Sequence, residues 1–172
     1  NSGKKKQMTT EPLLNTIPPI YDGNSKILIL GSFPSVKSRE VSFYYGHPQN
    51  RFWRVLAAVL GGAVPSSNEE KTVLLQSHNI ALWDVIKSCD IVGSSDSSIK
   101  NVVPNDIGVI LSSCSIRQIY SNGKTSEKLF NKYIKDTVGR DTVALPSTSP
   151  ANASYNLERL TDSWSVIKNN IR

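Results

Sequence analysis

The chain has 172 residues, 38% of them hydrophobic, with 20 Lys and Arg against 14 Asp and Glu and a formal net charge of +6. That length supports one domain with its own core, without help from a metal or disulfides, and no apolar run approaches the roughly 18–20 residues of a membrane span. The positive balance favours a polyanionic partner, although Lys4, Lys5 and Lys6 supply half of the excess and read equally well as a solvated tail.

Residues 1–20 read as an extended arm. Asn1–Met8 is basic and polar and lacks the apolar stretch of a secretory leader. Pro12, Pro18 and Pro19 keep the arm extended, and Leu13, Leu14, Ile17 and Ile20 are expected to staple it to the rest. A single domain is expected over 21–172, opening on the turn Tyr21-Asp22-Gly23-Asn24. Lys26–Leu30 is short and apolar and stops at Gly31, the pattern of a buried strand.

From Gly31 to Trp53 the chain reads GSFPSVKSREVSFYYGHPQNRFW, rich in glycine, proline, polar and aromatic residues that do little for a core. Such material between two regular elements usually builds a site. Phe52, Val55, Leu56, Val59 and Leu60 then recur at helical spacing up to Gly61-Gly62. Ser67-Asn68-Glu69-Glu70 is a capping-box start for a second helix to about Ser77. Ile80–Trp83 is a second strand candidate; Asp84 follows, and Val85-Ile86 continues the extended chain.

Gly93–Ser98 reads as a polar loop, and Pro104-Asn105-Asp106 can start a helix over Ile107–Leu111. Ile116–Tyr120 is a third strand candidate, closed by Ser121-Asn122-Gly123. A helix follows with Leu129, Phe130, Tyr133 and Ile134 inward. Thr142–Leu145 is a fourth strand candidate and runs into PSTSPAN at 146–152. A last helix puts Leu157, Leu160, Trp164, Ile167 and Ile171 on one stripe. Strands alternating with helices predict an α/β fold with a mostly parallel sheet and helices on both faces.

In such a sheet ligands bind beyond the carboxyl ends of the strands. The four candidates end in Gly31–Asn50, Asp84, Asn122-Gly123 and Ser147-Thr148-Ser149 with Asn152, so one polar rim is expected. Several chemistries are excluded by what is missing. Asn122-Gly123-Lys124-Thr125 ends like a P-loop, but the upstream glycine is replaced by Gln118. There is no GxGxxG and no GxSxG, and no Cys/His cluster has zinc spacing. Two histidines, His47 and His78, are too few and too far apart to suggest a metal site. The two cysteines, Cys89 and Cys114, make no disulfide framework and fit a reducing, cytoplasmic setting.

GSFPS at 31–35, FYYGHPQNRFW at 43–53, ALWDV at 81–85, GSSDSSI at 93–99, NG at 122–123 and LPSTSPANA at 145–153 together resemble the uracil-DNA glycosylase superfamily. Within it they look most like the hypoxanthine-DNA (DNA-deoxyinosine) glycosylases. The resemblance covers about Tyr21 to Trp164. It implies a three-layer α/β/α sandwich around a short, mostly parallel four-stranded sheet. It also implies hydrolysis of the N-glycosidic bond of a deaminated base in DNA, hypoxanthine foremost. No metal or cofactor is implied, and the expected state is a monomer acting on DNA away from any membrane.

The resemblance departs in one place. The mismatch-specific uracil glycosylases carry a catalytic Asn in the first loop, and the single-stranded and thermophilic ones an acidic residue nearby; Phe33 occupies the Asn position here. The resemblance to the hypoxanthine branch implies that the catalytic amide lies later, in HPQN, at Asn50, whose carbonyl oxygen can position a water; its alternative role is to cap the helix that follows. Base-binding candidates are Gly31, Ser32, Phe33, Pro34, Tyr44, Tyr45, His47, Asp84 and Asn122. Asp84 suits the N1–H donor of hypoxanthine, or else caps a turn; His47 makes a structural hydrogen bond or a pocket contact. DNA-binding candidates are Ser35, Ser38, Ser147, Thr148, Ser149 and Asn152, with short hydroxyls and amides suited to phosphates and base edges. The alternatives kept open are a uracil or mismatch-specific glycosylase of the same superfamily and a non-catalytic nucleic-acid-binding module.

Overall fold

The computed structural model describes residues 11–172, so the basic tail and the first half of the expected arm lie outside the described residues. In chain order the elements are β1 (Leu13–Leu14), β2 (Ile27–Gly31), α1 (Val36–Val41), α2 (Phe52–Leu60), α3 (Asn68–Ser77), β3 (Ile80–Asp84), β4 (Ile86–Asp90) and β5 (Lys100–Pro104). They continue with α4 (Gly108–Ser113), β6 (Gln118–Asn122), α5 (Lys124–Tyr133), α6 (Lys135–Val138), β7 (Thr142–Leu145) and α7 (Leu157–Trp164). Short 3-10 turns cover Asp96–Ser98 and Ser165–Asn169.

The centre is a four-stranded, wholly parallel sheet in the order β3-β2-β6-β7. β2 lies inside it with all five residues buried, which explains why its sequence is a continuous apolar run and not an alternation. Its side chains serve two cores. Ile27 and Ile29 join Phe52, Val55, Leu56, Leu160 and Trp164 on one face. Leu28 and Leu30 join Ile110, Ile119, Phe130 and Ile134 on the other. Each such aliphatic side chain contributes about 1.5–3 kcal/mol on burial. These two clusters hold the sandwich of helix, sheet and helix together.

Register matters most for function. Gly31 pairs with Asp84, Leu30 with Ser121, and Asn122 with Leu145. The carboxyl ends of all four strands therefore finish level, on one rim. The turn from β6 into α5 is made at Gly123, with φ +95°, where an added Cβ would stand 3.0 Å from the Ser147 Cβ. The β7 loop thus rests directly on the β6 turn.

α2 is more deeply set than an amphipathic surface helix. Trp53 and Ala57 are buried as well as Phe52, Val55, Leu56 and Val59 of the expected stripe, Leu60 is half-buried, and Arg54 and Ala58 are exposed. Half of the expected capping box of α3 forms, with Glu70 N donating to the Ser67 hydroxyl; the Glu70 carboxylate reaches back one residue further, accepting from Ser66 N and not from Ser67 N. The last stripe spans α7 and the 3-10 turn after it, but Leu157 faces out.

A second, antiparallel sheet of order β1-β4-β5 was not expected from the sequence. β1 has only two residues, β4 and β5 mix polar with apolar residues in a bulged pairing, and β5 ends in Pro104, so the apolar signal is diluted. β1 belongs to the arm. Ile17 and Ile20 do anchor this arm in the core, whereas Leu13 and Leu14 are exposed on its outer side. The arm also forms a bridge from Ile20 to Leu82 and receives the Tyr44 hydroxyl on Pro18 O at 2.7 Å.

Candidate active site

At the level rim, a cavity of about 580 Å³ opens between the β2–α2 loop, Asp84, Asn122 and the 147–151 loop. Its floor is polar. Asp84 is 3% exposed, and its Oδ2 accepts from Asn15 Nδ2 at 3.0 Å. Its Oδ1 faces Gly31, where an added Cβ would come within 2.5 Å of that oxygen and 3.0 Å of the Tyr45 hydroxyl. Any residue but glycine at 31 would therefore push into the floor. Burial raises the Asp84 carboxyl from its ordinary 3.8 to about 6, and the Asn15 hydrogen bond pulls it back in part.

Beside Asp84 stands Tyr45. Its ring stacks on Phe52 with centroids 4.2 Å apart, and its backbone holds φ +52°, an uncommon conformation for a bulky residue. Its hydroxyl is buried and has no hydrogen-bond partner. Burial, and then the Asp84 charge, push that hydroxyl well above the usual tyrosine range, so it stays a neutral O–H. An unsatisfied buried hydroxyl costs about 1–3 kcal/mol, and Tyr45 is one of the residues that line the cavity.

The rim is fixed by a chain of hydrogen bonds. Asn122 Nδ2 donates to the Thr148 hydroxyl at 3.0 Å, and Thr148 N donates to Asn122 Oδ1 at 3.1 Å. The Thr148 hydroxyl donates to Asn50 Oδ1 at 2.9 Å, and Phe52 N donates to the same oxygen at 2.9 Å. Both lone pairs of the Asn50 oxygen are taken, which fixes the orientation of its amide and leaves Nδ2 for the cavity. The expected use of this oxygen to position a water does not fit that arrangement. Asn50, one residue before the N-cap Arg51, accepts the first N–H of α2 from Phe52 and at the same time presents a donor.

The Uracil DNA glycosylase superfamily model matches residues 18–169. The chain belongs to that superfamily. It is 36% identical over 137 residues to a protein of Methanosarcina barkeri named Hypoxanthine DNA glycosylase, covering 78% of this chain and 85% of that one. It is 34% identical over 152 residues to a protein of the same name from Methanosarcina acetivorans, covering 87% and 94%. The solution NMR structure of a Methanosarcina acetivorans protein described as a candidate uracil DNA glycosylase superposes with a TM-score of 0.73 at 33% identity, covering 88% of this chain and 94% of that one.

With the superfamily fold in view, the expected site residues separate by what they touch. Gly31, Ser32, Phe33, Pro34, Tyr45, His47, Asn50, Asp84 and Asn122 all line the cavity. His47 Nδ1 accepts from Gln49 N at 3.1 Å, which leaves Nε2 for the cavity. Arg39 lies over the Phe33 ring, 5.6 Å from its centroid. Ser147 and Ser149 line the mouth.

Four expectations change. Tyr44 reaches the cavity wall but is 2% exposed, with its hydroxyl spent on Pro18 O and its carbonyl on Trp53 Nε1, so it has no free polar group for a base. Ser38 is buried, and its hydroxyl accepts from Gly46 N and from Ser35. Thr148 is fully buried as the link between two amides and is closed to phosphate. Asn152 donates to Ser147 O and does not line the cavity. Ser35 caps α1 by accepting from Ser38 N, a role added to its place on the cavity wall.

Three contributions were not anticipated. Asn15, on the arm, holds Asp84 by a contact between residues 69 apart in sequence. Ser94 to Ser97, read as a plain polar loop, form part of the cavity wall. Arg51 fastens the loop after β7: its guanidinium donates to the carbonyls of Ser149 at 2.8 Å, Asn152 at 3.1 Å and Tyr155, and its backbone N donates to Thr148 O. The clue was available, since Arg51 stands four residues before buried Val55 and so shares the inward stripe of α2. Arg51→Ala will lower stability by about 2–3 kcal/mol in urea denaturation, because three carbonyls lose charged donors together. Amide exchange over 148–155 will accelerate. A loss below about 0.5 kcal/mol would mean that the loop holds itself.

Proposed function

We propose that this chain is a monofunctional DNA glycosylase that removes a deaminated base, hypoxanthine first, in base excision repair. The observation that carries the choice of base is the pairing of Asp84 with the unpartnered Tyr45 hydroxyl on the cavity floor. A carboxylate accepts and a phenol donates. Hypoxanthine offers N1–H and O6, the complementary pair. Adenine offers a lone pair at N1 and an amino group at C6, so the two contacts reverse and fail. The names of the two Methanosarcina relatives support the same base.

The target nucleotide must leave the stack to reach such a floor. As the C1′–N9 bond breaks, its electron pair goes to the base and the sugar becomes oxocarbenium-like. Asn50 Nδ2 donates toward the charge growing on the departing base, from an amide that its neighbours have already oriented. Water adds at C1′ and loses its proton to solvent, giving an abasic sugar. No lysine or cysteine lines the cavity among the described residues, which favours hydrolysis over attack by a protein nucleophile. The reading carries with it a monomer in a reducing, cytoplasmic compartment, consistent with Cys89 and Cys114 as free thiols.

A second reading keeps the reaction and changes the base to uracil, whose N3–H and O4 form the same donor–acceptor pair. Duplexes that each carry one hypoxanthine, xanthine or uracil decide between them. Hypoxanthine is expected to be released fastest, with strand breaks only after alkali. Failure to release hypoxanthine defeats the first reading, and breaks without alkali defeat the hydrolytic one.

A further inference from the structure

A second groove, of about 700 Å³, runs between β5 and α5. It shares Asp96 and Ser97 with the cavity, so the two lie side by side. Lys100 from β5 and Lys128 and Lys132 from α5 line it. Lys124, Lys128 and Lys132 recur every four residues, so they form one stripe along the helix, advancing about 6 Å per lysine. The stripe begins two residues after Asn122, at the rim, and leads away from it. These lysines are exposed. Among the described residues the ion pairs are Lys37–Glu40 and Lys135–Asp141, so none of the groove lysines is neutralised by a carboxylate within 4.0 Å. Asp96, at the junction with the cavity, is the one acidic residue lining the groove.

A row of lysines at regular spacing, open to solvent, without carboxylate partners and beside a base-sized cavity, matches a row of phosphates. We propose that this groove seats the phosphodiester backbone of the DNA strand flanking the extruded nucleotide, making β5 and α5 a DNA-binding surface separate from the loops at the rim. The assignment rests on the glycosylase reading for the identity of the strand. The lysines hold the flank while the cavity holds the base, so their contribution is to binding and not to bond breaking.

The test compares the wild type with a variant carrying Lys100→Gln, Lys128→Gln and Lys132→Gln. A control variant carries Lys26→Gln, Lys87→Gln and Lys168→Gln, with the same loss of charge elsewhere. Fluorescence anisotropy on duplexes with and without one hypoxanthine is followed across a salt series. Each phosphate contact contributes about 0.9 to the slope of log K against log salt. The groove variant should therefore lose about 2–3 from the slope on both duplexes, and the control should track the wild type. The single-turnover excision rate at saturating enzyme should stay the same in all three proteins. A duplex shortened on one side of the target should lower the wild type to the affinity of the groove variant. A groove variant with the slope of the control overturns the proposal, as does equal weakening of wild type and groove variant by shortening either flank. Binding to the undamaged duplex tests the groove even if hypoxanthine proves to be the wrong base.

Discussion

Asn50→Ala will excise hypoxanthine about 10²–10³-fold more slowly than the wild type in single-turnover assays at saturating enzyme, the usual loss when one preoriented donor is removed from a reacting centre. The estimate rests on how the amide is held. Phe52 N and the Thr148 hydroxyl both donate to Oδ1, and Thr148 is itself gripped at two points by Asn122. Nδ2 therefore needs no reorganisation when the base departs. The same substitution removes the acceptor for the first N–H of α2, from Phe52, which costs about 1 kcal/mol. The two effects are separable: the stability loss leaves nearly all molecules folded, whereas the rate loss persists when every substrate is bound. A folded Asn50→Ala protein with full single-turnover activity would leave the residue only its role at the start of α2.

The sandwich could be read from the sequence because its central sheet advertises itself. Ile27–Leu30 is apolar on both sides, and Phe52 to Leu60 keeps a helical period. Both patterns reflect local burial, which sequence records directly. The site was legible to the extent that strand ends must converge: Gly31, Asp84, Asn122 and the loop after Leu145 meet as expected. What escaped was partnership at long range. Asn15 reaches Asp84 and Arg51 reaches Ser149 across separations of 69 and 98 residues, and no spacing rule encodes either contact. Thr148 escaped for another reason. A hydroxyl that contacts phosphate and a hydroxyl that joins two buried amides are the same letter, and only burial separates them.

Asp84 will make stability and activity run in opposite directions with pH. In the folded protein, burial lifts its carboxyl from 3.8 to about 6, because an ionised group there has left water and gained only the Asn15 amide in return. Between those values the folded chain holds a proton that the unfolded chain has lost. Its contribution to stability is therefore fully present below about 3.8 and is lost as pH rises through about 6. The loss amounts to about 3 kcal/mol, at about 1.4 kcal/mol for each pH unit of the shift. Asp84→Asn keeps the size of the side chain and an oxygen for Asn15, but has no proton to lose. Urea denaturation from pH 4 to pH 8 should show the Asn variant gaining on the wild type as pH rises, then holding a constant lead above about pH 6. Excision should follow the other course. Asn15 claims one oxygen of residue 84, so a neutral carboxyl or an amide turns an O–H or N–H toward the cavity, and only the carboxylate keeps a second oxygen to accept N1–H; kcat/KM of the wild type on hypoxanthine should therefore climb through about pH 6, while that of the Asn variant stays low and flat. A stability difference that does not change with pH would show that the carboxyl titrates in the fold as it does in the unfolded chain. An Asn variant that matches the wild type in kcat/KM above pH 6 would remove Asp84 from base recognition. If both profiles behave as expected, the chain retains a destabilising charge at its core because the substrate requires it there, a cost in stability that Gly31, by leaving room for that carboxylate, helps to build in.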